Sequence, residues 1–433
     1  MNGRYDGSSK FPKDSRFKFF PSFSTGWRVS EEGFMKELKP IIQNLKLRAS
    51  YGSLGNQDVA NYAYISTYGL TPQVGYIING VRPIGINPPG LVSSNLTWET
   101  ATTLDYGMDV IILNKLTLNY DWYNRKTINI LTSAEKLPSV LGTSVPNQNS
   151  GSMKTNGWEF SARWNDQMEN GLKYNITFLL SDYQSEIIDF SGNPQKLISS
   201  LYEGKKMGEI WGYVTEGIFQ TSDEIANAPN QSKINGGVWR PGDVRFMDLN
   251  NDKVIGYGAT TVGDPGDKKI IGNSTPRYQY GMNIDVAWKN FDFNMFWQGT
   301  GKRDYWTNSF FYWGLINGSN INGGSGTKFT YYDSWTPERT TAFVPAFKPA
   351  TKNMEVQSRY LLDASYARLK NITLGYTLPQ KLSKKIDLSR LRVYASGYNL
   401  LTISKVPDVL DPELMGDAYP MLHSYTFGVQ VTF

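Results

Sequence analysis

"HSYTFGVQVTF", residues 423–433, alternates strictly: Tyr425, Phe427, Val429, Val431 and Phe433 are apolar or aromatic, and Thr426, Gly428, Gln430 and Thr432 are not. Period two belongs to a β-strand whose two faces meet different surroundings. The pattern recurs throughout the chain. Leu116, Leu118, Tyr120 and Trp122 alternate with polar residues, and Leu172, Tyr174, Ile176, Phe178 and Leu180 alternate with Lys173, Asn175, Thr177 and Leu179. Tyr278, Tyr280, Met282, Ile284, Val286 and Trp288 do the same, followed by Phe291, Phe293, Met295 and Trp297 with one lapse at Phe296. Ile372, Leu374, Tyr376 and Leu378 continue the series. Many of these segments run to about ten residues, enough for a tilted strand to cross a bilayer.

The connections between them alternate too. Asn114-Lys115, Asn165–Gly171, Lys289-Asn290 and Pro379–Ser389 are short; Gly55–Asn95, Thr132–Lys154, Asp189–Thr275, Gly301–Leu362 and Ser404–Leu422 are long. Outer-membrane barrels sort their loops in this way, with tight periplasmic turns and long outer loops. Counting from a fragment at Asn2–Asp6 gives about twelve strands. With the long loops outside, the strand at Phe19–Val29 and the final strand both run toward the periplasm, where a barrel's C-terminus belongs.

Composition agrees. Aromatic residues make up 14% of the 433 residues and charged residues 19%, yet mean hydropathy is −0.42, so the rings are interleaved with polar residues and not gathered in apolar runs. No run approaches the ~20 residues of a spanning helix. Cysteine is absent and His423 is the one histidine, which removes disulfide, thiolate and most zinc, haem and Ser-His-Asp chemistry. The net charge of +5 is not gathered into a block, so nucleic acid is not expected as a partner. Met1-Asn2-Gly3-Arg4-Tyr5 opens without the apolar stretch of a secretion signal, so the expectation is a cytoplasmic chain or a stretch of something longer, and the strand pattern favours the second. The fold expected over residues 1–433 is all-β, a transmembrane antiparallel β-barrel with long extracellular loops. A soluble propeller or sandwich is the competing reading.

Asn119, Asp121, Asn175, Asn283, Asp285, Asp292 and Asn294 occupy the polar positions of their strands and are expected to face the lumen, hydrating it or meeting a plug. Trp122, Trp164, Trp288 and Trp297 lie near strand ends, as residues of an interfacial girdle do. Asp248, Asn250 and Asp252 stand at positions one, three and five of a candidate calcium loop. Lys253 replaces the glycine expected sixth, and Ala259 the bidentate acid expected twelfth; Asp243 and Asp264 are further carboxylates in the same stretch. The competing reading is an Asx-rich surface turn. In the long loops Trp306, Phe310, Phe311, Tyr312, Trp313 and Tyr332 are candidates to stack on a substrate, with packing among the loops or against a lid as the alternative. Trp211, Tyr213 and Trp239 cluster in the preceding loop. "GTGKR" at Gly299–Arg303 lacks the spacing of a phosphate loop, and no carboxylate pair specifies a glycosidase, so no enzymatic role and no catalytic residue is expected.

Specific stretches add a family resemblance. "RYDGSSKFP" (Arg4–Pro12), "FFPSFSTGWRVSEE" (Phe19–Glu32), "LKLRASYGSLGNQ" (Leu45–Gln57), "WETATTLDYGMDV" (Trp98–Val110) and "DWYNRKTINIL" (Asp121–Leu131) carry it first. "GDVRFMDLNNDKVI" (Gly242–Ile255), "IGNSTPRYQYGMN" (Ile271–Asn283), "ARLKNITLGYTLP" (Ala367–Pro379) and "LRVYASGYNLLTIS" (Leu391–Ser404) continue it in order. The chain resembles the C-terminal half of the SusC/RagA type of TonB-linked outer-membrane transporters of Bacteroidota, which implies about twelve of roughly 22 barrel strands. The plug and N-terminal regions of that family have no counterpart here, and a half barrel would leave unpaired edges in hydrocarbon; the remainder is expected as another chain or as missing sequence. The resemblance implies a Gram-negative outer membrane with its lipopolysaccharide. It also implies import of oligosaccharides or oligopeptides under a SusD-like lipoprotein lid, coupling to TonB through the missing part, and a barrel-assembly role for Phe433. A non-transporting adhesin or scaffold barrel and a soluble β-rich carbohydrate-binding protein are the alternatives.

Overall fold

The alternating stretches become one wall. Twelve strands pair antiparallel in strict chain order. They are β1 (Asn2–Gly7), β2 (Phe17–Arg28), β3 (Ile42–Asn56), β4 (Glu99–Ile112), β5 (Leu116–Ser133) and β6 (Asn147–Gln167), then β7 (Lys173–Phe190), β8 (Arg277–Trp288), β9 (Phe291–Lys302), β10 (Tyr366–Thr377), β11 (Arg390–Ser404) and β12 (Ser424–Thr432). The computed structural model describes every residue except 73–74, 94, 134–139, 141–144, 319–326, 417–418 and 420. Among the described residues the sheet is open, with β1 at one edge and β12 at the other.

Register keeps like residues on one face. Trp164 pairs with Ile176, Ile176 with Ile284, Ile284 with Met295, Met295 with Ile372, Ile372 with Gly397 and Gly397 with Tyr425. A slip of one residue in any pair would turn that strand's apolar set inward. The apolar face stays bare: Tyr106 is 50% exposed, Leu374 53% and Phe427 83%. So broad an apolar surface is unfavourable in water and is what a lipid-facing wall presents. The opposite face is polar and concave, opening on a cavity of about 480 Å³ lined by Asn119, Asp121, Glu159, Ser161, Gln279 and Gln298 among others. The lapse at Phe296 places one aromatic ring on the polar face. Phe296 pairs there with Asn283 and Asn371, and its ring lies over Gly281, where an added Cβ would come within 3.4 Å.

Aromatic rings mark both margins of the apolar belt. At the tight-turn end the Trp164 indole donates to the Tyr174 hydroxyl at 3.3 Å, and the Lys289 ammonium sits 4.4 Å from the Trp288 ring centre. At the far margin Tyr106 stacks with Trp122 and Tyr120 with Trp158, at centroid distances of 6.1 and 6.5 Å. Two positions beyond Trp122, Asn124 donates across the strand to Asn156, so the belt ends there. Trp297 pairs with Met282 and Leu369 on the apolar face.

The turns show how the short connections close. Leu113 and Asn114 both take positive φ, 54° and 55°, and Lys115 N–H donates to Ile112 O at 3.0 Å, the twist-matched hairpin geometry. The sorting by length is less strict than the sequence suggests. The turns at 29–41 and 378–389 carry short helical segments, while the connection at 134–146 is short because β5 and β6 run well past the belt.

Candidate functional site

The seven polar positions predicted for the lumen all lie on the concave face, tied into networks. Asp285 accepts from Asn175 (3.1 Å), Asn283 (2.6 Å) and Asn294 (2.7 Å). Arg48 reaches Asp109 and Asp121, each at 2.9 Å, and Asn119 donates to Asp109 at 2.9 Å. Arg392 pairs with Asp292 at 2.5 Å. Arg48–Asp109 joins neighbouring staves, while Arg48–Asp121 and Arg392–Asp292 each reach across one intervening stave, so these charges are paired within the wall and the face stays hydrophilic.

Beyond the belt, the connections at 191–276, 303–365 and 405–423 fold into one body with its own core. Tyr213, Phe246 and Ile255 come from the first connection, Tyr312, Trp313, Ile316 and Tyr360 from the second, and Val406, Leu410 and Met415 from the third. Small two-stranded sheets brace it, pairing Glu209–Tyr213 with Lys268–Asn273 and Thr215–Ile218 with Val244–Phe246. Burial pushes the hydroxyl pKa of Tyr213, Tyr312 and Tyr360 upward. Tyr202 is pushed up to about 12 by burial and by donating to Glu209.

The loop aromatics divide sharply. Tyr312 and Trp313 are 2% and 1% exposed; the Trp313 indole donates to Thr307 O at 2.7 Å, and its ring meets Tyr360 edge-on at 5.1 Å. Substrate stacking, one of the two readings open for these two residues, is corrected by that burial: their faces are taken up by the loop core. Trp306 and Phe310 are half-buried, Trp306 tilted against Trp313 at 5.7 Å. Phe311 and Tyr332 present their rings outward, and Phe311 borders a cavity of about 450 Å³ with Arg368, Asp408 and His423. Trp211 and Trp239 donate to Tyr202 and to Gln231 O respectively, so both are braces.

The Asp-rich loop satisfies itself. Asp248 accepts from the N–H groups of Asn251 and Lys253 at 2.7 and 2.8 Å, and Asp252 accepts from Val254 N–H and from the Asn250 amide. Lys253 takes φ +63°. At the twelfth position Ala259 donates its N–H to Asp264. Three side-chain donors with no bidentate acid fall short of the six to eight oxygens that calcium takes. Among the described residues no group of three carboxylate or imidazole ligands converges on one point.

Sequence reading missed a latch. Arg368, 2% exposed on the polar side of β10, pairs with Asp411 at 2.7 Å and Glu413 at 2.6 Å, with Lys370 beside Glu413 at 3.1 Å. It ties the 405–423 connection to the wall. Burial works against the Asp411 carboxylate, but the Glu413 N–H and the Arg368 guanidinium outweigh it and hold its pKa below the usual range. A depressed folded-state pKa contributes stability that is present above the unfolded value, about 4, and is lost as pH falls through the folded one. Hydrogen exchange in 405–423 is therefore expected to quicken selectively below about pH 4. Arg368→Gln should flatten that dependence; an unchanged profile in the variant would count against the latch.

Such a fold, a lipid-facing antiparallel wall with a hydrophilic interior and a folded outer loop body, defines a transmembrane barrel segment. The family described as TonB dependent receptor-like, beta-barrel matches residues 1–400, and the chain belongs to it. It is 30% identical to TonB-dependent receptor P3 of Formosa agariphila, over the whole chain and 44% of that protein. It is 28% identical to TonB-dependent receptor SusC of Bacteroides thetaiotaomicron, over 99% of the chain and 41% of SusC. In fold it matches the RagAB peptide transporter with TM-score 0.78 at 21% identity, over 100% of this chain and 45% of that one. The chain thus spans less than half the length of the curated relatives it matches. It is an outer-membrane protein of the TonB-dependent receptor type.

Proposed function

We propose that this segment supplies wall, outer loops and part of the substrate vestibule of a TonB-dependent importer of oligosaccharides or oligopeptides, closed from outside by a SusD-like lipoprotein. The observation that carries the reading is the loop body itself. Its three connections share one core, and one of them, 405–423, is latched to the polar face by Arg368, which suits a rigid rim around an entry path. An adhesin has no need of the hydrophilic inner face that the rim surmounts. The test uses the complete receptor in cells: uptake of labelled oligosaccharides and oligopeptides with and without a protonophore, and co-purification of a lipoprotein. Proton-gradient-dependent uptake of either class is the expected result; surface binding with no uptake would support the scaffold reading instead.

The closing strand bears on assembly. β12 pairs with β11 up to Thr432, and the Ser389 hydroxyl donates to Phe433 O at 3.0 Å. Deleting Phe433 is expected to lower the folded receptor in the outer membrane several-fold, read from heat-modifiable gel mobility. Unchanged surface levels would remove the terminal aromatic from any assembly role.

A further inference from the structure

The outer loop body carries a second cavity, of about 540 Å³, whose lining includes Asn235, Val238, Arg240, Lys348, Thr351 and Lys352. Three cations border it. Lys352 is anchored, with its ammonium 2.7 Å from Asp243 and 4.5 Å from the Trp239 ring centre. Lys348 stands 3.3 Å from the same carboxylate. Arg240 donates its backbone N–H to Asp243 at 2.8 Å, but among the described residues its exposed guanidinium has no partner. Asp243 is fully buried behind the lysines. Glu355, the other acid nearby, accepts from Asn235 at 3.0 Å and lies 3.8 Å from Lys268. Three positive charges against one buried negative leave the cavity electropositive, with a guanidinium fork free to take two oxygens of one anion.

We propose that this cavity binds an acidic sugar, a uronate or sulfate-bearing residue of an oligosaccharide. The volume lies within the ~300–1,000 Å³ of small-ligand sites. The Asn235 amide and the Thr351 hydroxyl flank the cations, where ring hydroxyls would need partners. None of the six residues named belongs to a β-strand, so no sheet edge is offered to an extended peptide backbone; that favours a glycan over an acidic peptide. The identification of the sugar as cargo rests on the import reading, whereas the binding itself does not.

Binding is to be measured by calorimetry on the complete receptor in detergent. The probes are hexagalacturonate, a chondroitin sulfate hexasaccharide, maltohexaose and hexaglutamate. The acidic sugars are expected to bind, with affinity falling as salt rises, and maltohexaose to bind much more weakly. Arg240→Ala and Lys348→Ala should each weaken acidic-sugar binding by roughly tenfold, with Arg240→Lys losing less. Because Lys348 also touches Asp243, Arg240→Ala decides the outcome if the lysine variant misfolds. Equal binding of maltohexaose, or acidic-sugar affinity unmoved by Arg240→Ala, overturns the proposal; so does hexaglutamate binding more tightly than either acidic sugar. Acidic-sugar binding without uptake in cells would sink the import reading and leave the site standing. Uptake of neutral oligosaccharides with no acidic-sugar binding would do the reverse.

Discussion

Asp243→Ala is expected to open the outer loop body while leaving the strand wall standing. Its carboxylate is fully buried and accepts from the Arg240 N–H at 2.8 Å and from the Asn353 amide at 3.0 Å. It also meets Lys352 at 2.7 Å and Lys348 at 3.3 Å. Asn353, itself buried, accepts in turn from Val244 N–H at 3.0 Å. One carboxylate therefore fastens the 191–276 connection to the 303–365 connection. Alanine would leave the Lys352 ammonium, 12% exposed, without a counter-charge and the Asn353 amide without an acceptor. Removing one member of a buried pair costs about 3–5 kcal/mol, which is large beside the total stability of a domain. Limited proteolysis of intact cells should then cut within 191–276 and 303–365 while the strands stay protected. Asp243→Asn keeps an oxygen for the two N–H donors and should fall between wild type and alanine. Identical cleavage of all three would show that the loops are held by their apolar core alone.

The contrast between wall and loops explains what could be read from the sequence. Ile284 and Asp285 are neighbours in chain yet face lipid and lumen, and the solvent difference is written into consecutive residues. A strand's face can thus be read locally, and the register of β7 to β10 follows. Past the belt the contrast fades. Residues 147–154 open β6 with no apolar alternation to mark them, so the start of β6 was hidden. The loop contacts are harder still: Asp243 and Asn353 are 110 residues apart, and Arg368 and Asp411 are 43 apart, with no period relating them. "FFYW" at Phe310–Trp313 reads as four equivalent rings. Only packing against Tyr360 and Ile316 separates the buried Tyr312 and Trp313 from the exposed Phe311.

Ala162→Arg should deplete folded receptor from the outer membrane, whereas Ser161→Arg, one residue earlier, should be tolerated. Ala162 pairs with Leu118 on one side and Phe178 on the other, between the aromatic margins set by Trp158 and Trp164. A guanidinium there would enter hydrocarbon near mid-depth, at about 2–4 kcal/mol. Ser161 points the other way. It donates to Asn119 at 3.2 Å and lines the polar cavity with Asp121 and Glu159. An arginine at 161 gives up one hydrogen bond, about 1 kcal/mol, and gains two carboxylates in reach of a long, flexible stem. Both variants add the same charge to the same strand, so differences in expression or charge tolerance cancel and only the face remains. Heat-modifiable gel mobility of outer-membrane fractions reads the folded share directly. Equal losses in the two variants, or a larger loss for Ser161→Arg, would mean that the apolar face of the sheet is not the one that meets lipid.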